Sequence, residues 1–210
     1  MASSIARIYR RLRFGEPVVV VSGLPRSGTS MLMKMLEAGG LRVVTDGQRT
    51  ADEDNPKGYY EVERIKFLAK ETDKSYVRDA RGRVIKVISY LLKYLPTDLN
   101  YRVVFSQRNV DEVLASQSKM LERRGEKDTV PIEKMRELTE GELFKAKYLL
   151  EHSPQFESVV VQYTDLVGDP REWAHRLNQF LGGKLNEEAM AAVVDPKLYR
   201  NRAPGKEAAR

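Results

Sequence analysis

The residues of this chain whose types and spacing suit them to chemistry are cations and hydroxyls set among glycines, a combination that handles anions. Residues 23–30 read Gly23, Leu24, Pro25, Arg26, Ser27, Gly28, Thr29 and Ser30. They follow the β-branched run Val18, Val19, Val20, Val21, which suits a strand covered on both faces. They precede a helical pattern in which Leu32, Met35 and Leu36 share a face and Gly39 and Gly40 end the helix. Strand, glycine-bracketed turn and helix in immediate succession aim the unpaired N–H groups of the first helical turn, and the positive end of the helix dipole, into the loop. That makes a site for a phosphate-like anion. The loop departs from the nucleoside-triphosphate pattern G-x-x-x-x-G-K followed by Ser or Thr, because Thr29 stands where the pattern has the lysine that reaches the β and γ phosphates. This argues against magnesium-assisted transfer of a terminal phosphoryl group. Arg26 puts a cation inside the loop instead, and a guanidinium there can fork onto the oxygens of a sulfate or a shorter, doubly ionised phosphate.

A second anion site is written further on. The apolar run 101–107 reads as a buried strand and leads straight into Arg108, Asn109, Val110, Asp111, Glu112, Val113, Leu114, Ala115 and Ser116. Asn109 is a good N-cap with Glu112 at the third helical position, so Arg108 falls at the strand-to-helix turn and Ser116 about two turns along. At ~1.5 Å per residue the two are roughly 12 Å apart along the axis, and an extended arginine can bend back over that gap to hold a phosphate with the hydroxyl. Near the end, the strand-like 158–163 closes on Tyr163. Asp169 as N-cap, Pro170 as first helical residue and Glu172 as capping-box partner then open a helix whose Trp173, Leu177, Phe180 and Leu181 repeat at helical spacing, with Gly182 and Gly183 as its stop.

With these residues in hand, the chain resembles the sulfotransferases that use 3′-phosphoadenosine 5′-phosphosulfate (PAPS). Their 5′ loop is similar to Pro25-Arg26-Ser27-Gly28-Thr29-Ser30, and their 3′-phosphate is bound by an arginine and a serine in a pattern R-N-x-x-D-x-x-x-S, which Arg108 and Ser116 match with Asp111 one place early. A late Y-E-D-L segment, whose tyrosine is near the adenine, is matched by Tyr163. The three motifs come in the family's order over roughly 17–183. The resemblance implies PAPS as donor, PAP as product, no metal, and in-line transfer of a sulfuryl group to a hydroxyl or amine. It assigns Lys86 to the bridging oxygen of the donor. Arg200 and Arg202, in the basic stretch after Asp195, are candidates for closing over the 3′-phosphate, although the R-K-G motif of the cytosolic class is absent.

Such chemistry also wants a base for the acceptor's proton. The cytosolic small-molecule enzymes have a histidine just after the lysine, where this chain has Val87, Ile88 and Ser89, and both its histidines, His152 and His175, fall on predicted helices distant from the loop. A carboxylate is the natural substitute, as in the protein-tyrosine and heparan-type enzymes. The stretch 54–61 resembles N-P-x-G followed by Phe or Tyr, x and E of bacterial sulfotransferases, which makes Glu61 the first candidate and Asp46, near the end of a predicted strand, the second. Asp52, Glu53 and Asp54 read as a solvated loop.

The elements that must position these groups alternate. Strands are expected at 17–22, 41–45, 83–88, 101–107 and 157–163, and helices at 28–38, 59–73, 110–124, 131–152 and 170–181. That pattern is an α/β fold, a single P-loop-like domain over 1–210 with a central parallel sheet flanked by helices and ligand at the carboxyl ends of the strands. The 210 residues are enough for one such core, and no internal repeat is visible. Residues 1–15 form a basic segment reading as a short helix with a solvated or docking role, and 195–210 a basic tail. No cysteine is present, and no ligand cluster of metal spacing is visible. No apolar run reaches the length of a membrane span, so the chain is read as soluble and cytoplasmic. The net charge of +6, from 36 basic and 30 acidic residues, is not accompanied by a nucleic-acid motif and suits a highly anionic cofactor. A small molecule, sugar, lipid or peptide remains open as acceptor, and the oligomeric state is not legible. Two alternatives stay beside this reading: a P-loop phosphotransferase, and a nucleotide-binding protein of the same fold without catalysis.

Overall fold

Val18, Val19, Val20 and Val21 sit in one of the two inner strands of a four-stranded sheet, buried on both faces as a continuous β-branched run requires. The computed structural model describes residues 4–46, 60–126 and 130–195. In chain order the elements are α1 (Ser4–Phe14), β1 (Val18–Gly23), α2 (Thr29–Ala38), a 3-10 helix (Glu63–Phe67), α3 (Ser75–Arg78), β2 (Val84–Lys86), a second 3-10 helix (Ser89–Tyr94), β3 (Tyr101–Gln107), α4 (Val110–Arg123), α5 (Ile132–His152), β4 (Phe156–Gln162), α6 (Tyr163–Gly168), α7 (Pro170–Leu181) and α8 (Glu187–Ala192). The sheet order is β2-β1-β3-β4 and every pairing is parallel. One face packs Val18, Val20, Ile85, Val103 and Phe105 against α5 and the second 3-10 helix. The other packs Val19, Val21, Val104 and Val161 against α2 and α7.

Because β2 lies on one side of β1 and β3 on the other, the connections leaving β1 and β3 diverge, and a crevice opens at their carboxyl ends. The loop after β1 and Arg108 after β3 flank it. The α/β fold with a central parallel sheet is thus as expected, and so are the ends of α7: Asp169 accepts from Glu172 N–H at 3.0 Å, Pro170 opens the helix, and Gly182 ends it in the left-handed region at φ 117°.

Two expected elements are corrected. The strand anticipated at 41–45 contributes a single bridge, Val43 to Val84, with Val44 N–H bonding Val84 C=O and Val84 N–H bonding Arg42 C=O, both at 2.9 Å. Its partner β2 is itself only three residues long, and the pairing does not continue past Val84. The helix anticipated at 59–73 is the 3-10 helix Glu63–Phe67. Ile65 within it and Leu68 just past its end are buried, and their three-residue spacing makes one narrow stripe suited to a 3-10 turn, where i and i+3 eclipse. The helices α3, α6 and α8 and the second 3-10 helix were not anticipated.

Candidate active site

The loop between β1 and α2 is held from beneath. Ser27 Oγ donates to Leu24 C=O at 2.7 Å, and Ser106 Oγ, from the end of β3, donates to Ser27 C=O at 2.6 Å. Arg26 adopts φ 67°, a left-handed conformation rare for a residue with a side chain, and such strain clusters at sites that bind ligands. Pro25 is exposed at the crest, Ser27 and Thr29 are buried, and Ser30 is half-buried. At the start of α2, Gly28 is the N-cap at φ 100° and offers no side chain to the first-turn amides, so the helix keeps its positive end for something else. Gly28 is required twice over, since a Cβ there would lie 2.4 Å from Tyr163 Cδ2. Gly28→Ala is expected to cost about 1–3 kcal/mol through overpacking and to displace the loop from Tyr163. Urea denaturation checks it, and an unchanged midpoint would mean that the ring moves aside without penalty.

The second cluster joins this loop. Arg108 Nη1 donates to Arg26 C=O at 3.3 Å, its guanidinium carbon lies 4.8 Å from the centre of the Tyr163 ring, and Nε pairs with Glu112 Oε2 at 2.8 Å. Arg26 Nε in turn donates to Ser116 Oγ at 3.1 Å. Residues 26, 108, 116 and 163, scattered over the sequence, are thereby one hydrogen-bonded and stacked group. Burial raises the pKa of the Tyr163 phenol, with the Arg108 charge opposing, so Tyr163 stays protonated at neutral pH. Asn109 caps α4 as expected, accepting from Asp111 N–H at 2.8 Å, but Glu112 does not complete a capping box there. Its carboxylate turns to Arg108. Sequence reasoning missed this residue, although its signal was the four-residue spacing from Arg108 that puts the two on one helix face. Asp111 meanwhile pairs with Arg136 on α5.

The third cluster stands at the end of β2. Lys86 is buried, and its Nζ donates to Ser30 Oγ at 3.3 Å and to Glu61 Oε1 at 3.3 Å. Lys66 lies 3.9 Å from the other oxygen of Glu61. Asp46 Oδ2 accepts from Glu63 N–H at 2.5 Å and so fastens the start of the first 3-10 helix, while Thr45 Oγ1 bonds Glu61 C=O at 3.4 Å. Glu61 is therefore the carboxylate brought to Lys86, and Asp46 is tied to the neighbouring Glu63 amide. His152 is stacked on Tyr148 at 4.0 Å between ring centres on α5, and His175 faces Glu187 on α8. Asp52, Glu53, Asp54, Arg200 and Arg202 lie outside the described residues. Among the described residues no group of three or more His, Cys, Asp or Glu side chains could hold a metal ion.

Set against models of known families, residues 16–201 match the sulfotransferase domain, nearly the whole length of the chain. The chain belongs to the sulfotransferase family. Among solved structures, a sulfotransferase from Alicyclobacillus acidocaldarius is similar at 16% identity and a TM-score of 0.47, over 79% of this chain and 81% of that one. The sulfotransferase domain from the curacin biosynthetic pathway is also 16% identical, with a TM-score of 0.48 over 92% and 94%. A sugar kinase from Janibacter sp. HTCC2649 is similar at 14% identity, with a TM-score of 0.42 over 87% and 98%. A comparison with curated protein sequences finds no match. In this sulfotransferase the three clusters all sit at the carboxyl ends of β1, β2, β3 and β4 or in the segments that follow, at the crevice opened by the strand order.

Proposed function

We propose that this sulfotransferase takes its sulfuryl group from PAPS and passes it to an acceptor hydroxyl or amine by in-line displacement, releasing PAP. The observation that carries the reading is the bridge from Lys86 to both Ser30 on the anion loop and Glu61 opposite it. It supports a cation and a carboxylate meeting at the positive end of α2. The donor set fits the group: an N-terminus with no side-chain cap, two guanidinia from Arg26 and Arg108, the Ser116 hydroxyl and a buried ammonium.

PAPS, when bound, supplies an activated sulfuryl group on a phosphate leaving group. Residues 25–30 and Arg26 hold the 5′ end by backbone N–H groups and a forked cation. Arg108 and Ser116 hold the 3′-phosphate, Glu112 keeps Arg108 oriented, and Tyr163 bounds the nucleoside side. Lys86 would hold the donor's transferring end, supplying a positive charge for the negative charge that develops on a leaving phosphate. Glu61 takes the proton of the acceptor, with Asp46 as the alternative base. The acceptor class stays open to a small molecule, sugar, lipid or peptide.

Titration calorimetry with PAP, adenosine 5′-phosphate and magnesium-ATP tests the donor. PAP is expected to bind tightest with or without magnesium, and Ser116→Ala to weaken PAP by about 3–10-fold, the worth of one hydrogen bond, while leaving adenosine 5′-phosphate unchanged. Preference for magnesium-ATP would instead make the loop that of a phosphotransferase.

A further inference from the structure

Helix α1 is amphipathic and packs the wrong way round for a helix that serves the core. Ile5, Ile8, Tyr9 and Leu12 are 79%, 61%, 56% and 83% exposed. At about 100° per residue they span an arc of roughly 100° on one side of the helix. The opposite side docks onto the domain through polar contacts. Arg7 Nε pairs with Glu157 at 2.8 Å, and Arg10 Nη1 donates to Pro154 C=O at 2.7 Å and Phe156 C=O at 2.6 Å. Arg102 also approaches Glu157, at 3.6 Å, so the carboxylate is shared with the sheet. These bonds, together with Asn100 Nδ2 on Gly15 C=O at 3.2 Å, fix the rotation of the helix, and the apolar stripe is turned to solvent.

The two remaining arginines flank that stripe. On the same helical wheel Arg13 falls about 40° beyond one edge and Arg11 about 60° beyond the other. Both are exposed, and Arg13 Nη1 reaches the Tyr9 hydroxyl at 2.8 Å. The Arg81 guanidinium adds a further cation beside Gly15, with Glu16 the acid next in sequence, and α1 itself contains no acid. An apolar stripe lined on both sides by guanidinia matches a surface with an oily interior and an anionic rim.

We propose that α1 is an in-plane docking helix for anionic bilayer surfaces, with Ile5, Ile8, Tyr9 and Leu12 entering the acyl boundary and Arg11 and Arg13 on lipid phosphates. No helix of the described residues is long and apolar enough to cross a membrane, so this is attachment without a span. Charge favours this occupant over the alternatives. A second copy meeting the same stripe would set Arg11 and Arg13 against their own counterparts, and the chain's basic segment 196–210 would bring like charge to like. The helix packs at the amino ends of β3 and β4, through the Tyr101 and Phe156 carbonyls, whereas the candidate active site lies at their carboxyl ends. Docking therefore leaves that site on the edge of the sheet remote from the bilayer. The inference is independent of the donor chemistry proposed above.

Cosedimentation of the full chain with vesicles of phosphatidylcholine, alone or mixed with phosphatidylglycerol, tests it, with sedimentation equilibrium run alongside. Binding is expected to the mixed vesicles only and to fall as salt is raised. Ile8→Glu and Leu12→Glu should each weaken it by about tenfold or more, and Arg11→Gln with Arg13→Gln should remove the preference for anionic lipid, all with an unchanged thermal midpoint because none of these side chains packs in the core. Failure to sediment with mixed vesicles overturns the proposal. So does equal binding to neutral ones, or a dimer that Leu12→Glu dissociates while vesicle binding persists.

Discussion

Arg108→Ala is expected to lower stability by about 3–5 kcal/mol and to abolish PAP binding, two losses with separate causes. The Arg108 and Glu112 side chains are only 7% and 3% exposed and meet at 2.8 Å, so removing the arginine takes away the cation with which this interior carboxylate is paired. The same guanidinium is the proposed ligand of the 3′-phosphate. The two roles separate in the double variant Arg108→Met with Glu112→Leu, which replaces a buried ion pair by apolar groups of similar volume. Such exchanges are often neutral or stabilising. Urea denaturation should show the single variant shifted and the double variant near the parent, while calorimetry should find PAP binding lost in both. A double variant that binds PAP as tightly as the parent would remove Arg108 from the cofactor site. A single variant of undiminished stability would mean that Glu112 is neutralised at little cost.

The second large effect belongs to Lys86 and Glu61. Lys86→Ala should reduce kcat by about 10²–10³, as for the loss of one donor aimed at developing charge, with a much smaller change in PAP affinity. Glu61→Gln keeps the shape and an oxygen for Lys86 but removes basicity, and a drop of about 10²–10⁴ in kcat is expected if it takes the acceptor's proton. Steady-state turnover of PAPS on an acceptor found by screening provides the measurement. Asp46→Asn is the comparison: a larger loss there than in Glu61→Gln would move the base to Asp46, although its bond to the Glu63 amide gives it a part in holding the loop as well. Full turnover in both Lys86→Ala and Glu61→Gln would leave a nucleotide-binding protein whose chemistry lies elsewhere.

Much of this site is local in origin and was therefore legible in the residues. Loop 23–30 is a contiguous motif, Asn109 and Asp169 are short-range caps, and the strands β1, β3 and β4 carry runs of apolar residues that reveal themselves without a partner. The less successful expectations depended on partners. Residues 41–45 have a strand's composition, yet how far a strand extends is set by the edge it meets, and β2 offers only Val84–Lys86. Residues 59–73 carry scattered apolar side chains that match a helical period loosely, and packing of Ile65 and Leu68 decided for a short 3-10 turn. The spacing from Asn109 suggests a capping-box place for Glu112 because capping is a nearest-neighbour rule, whereas the buried Arg108 charge exerts the stronger pull.

The fold class, the glycine-bracketed loop 23–30 and the order of the motifs were legible in the residues alone, because strand burial, glycine conformation and helix caps are encoded within a few residues of where they act. The bond from Arg26 to Ser116, the reach of Lys86 to both Ser30 and Glu61, and the outward turn of the apolar stripe on α1 emerge from the folded chain. Each of these links positions distant in the chain or depends on the rotation of a packed helix. Contacts of that kind follow from how the sheet orders its strands and how buried charges find partners, which no local spacing records.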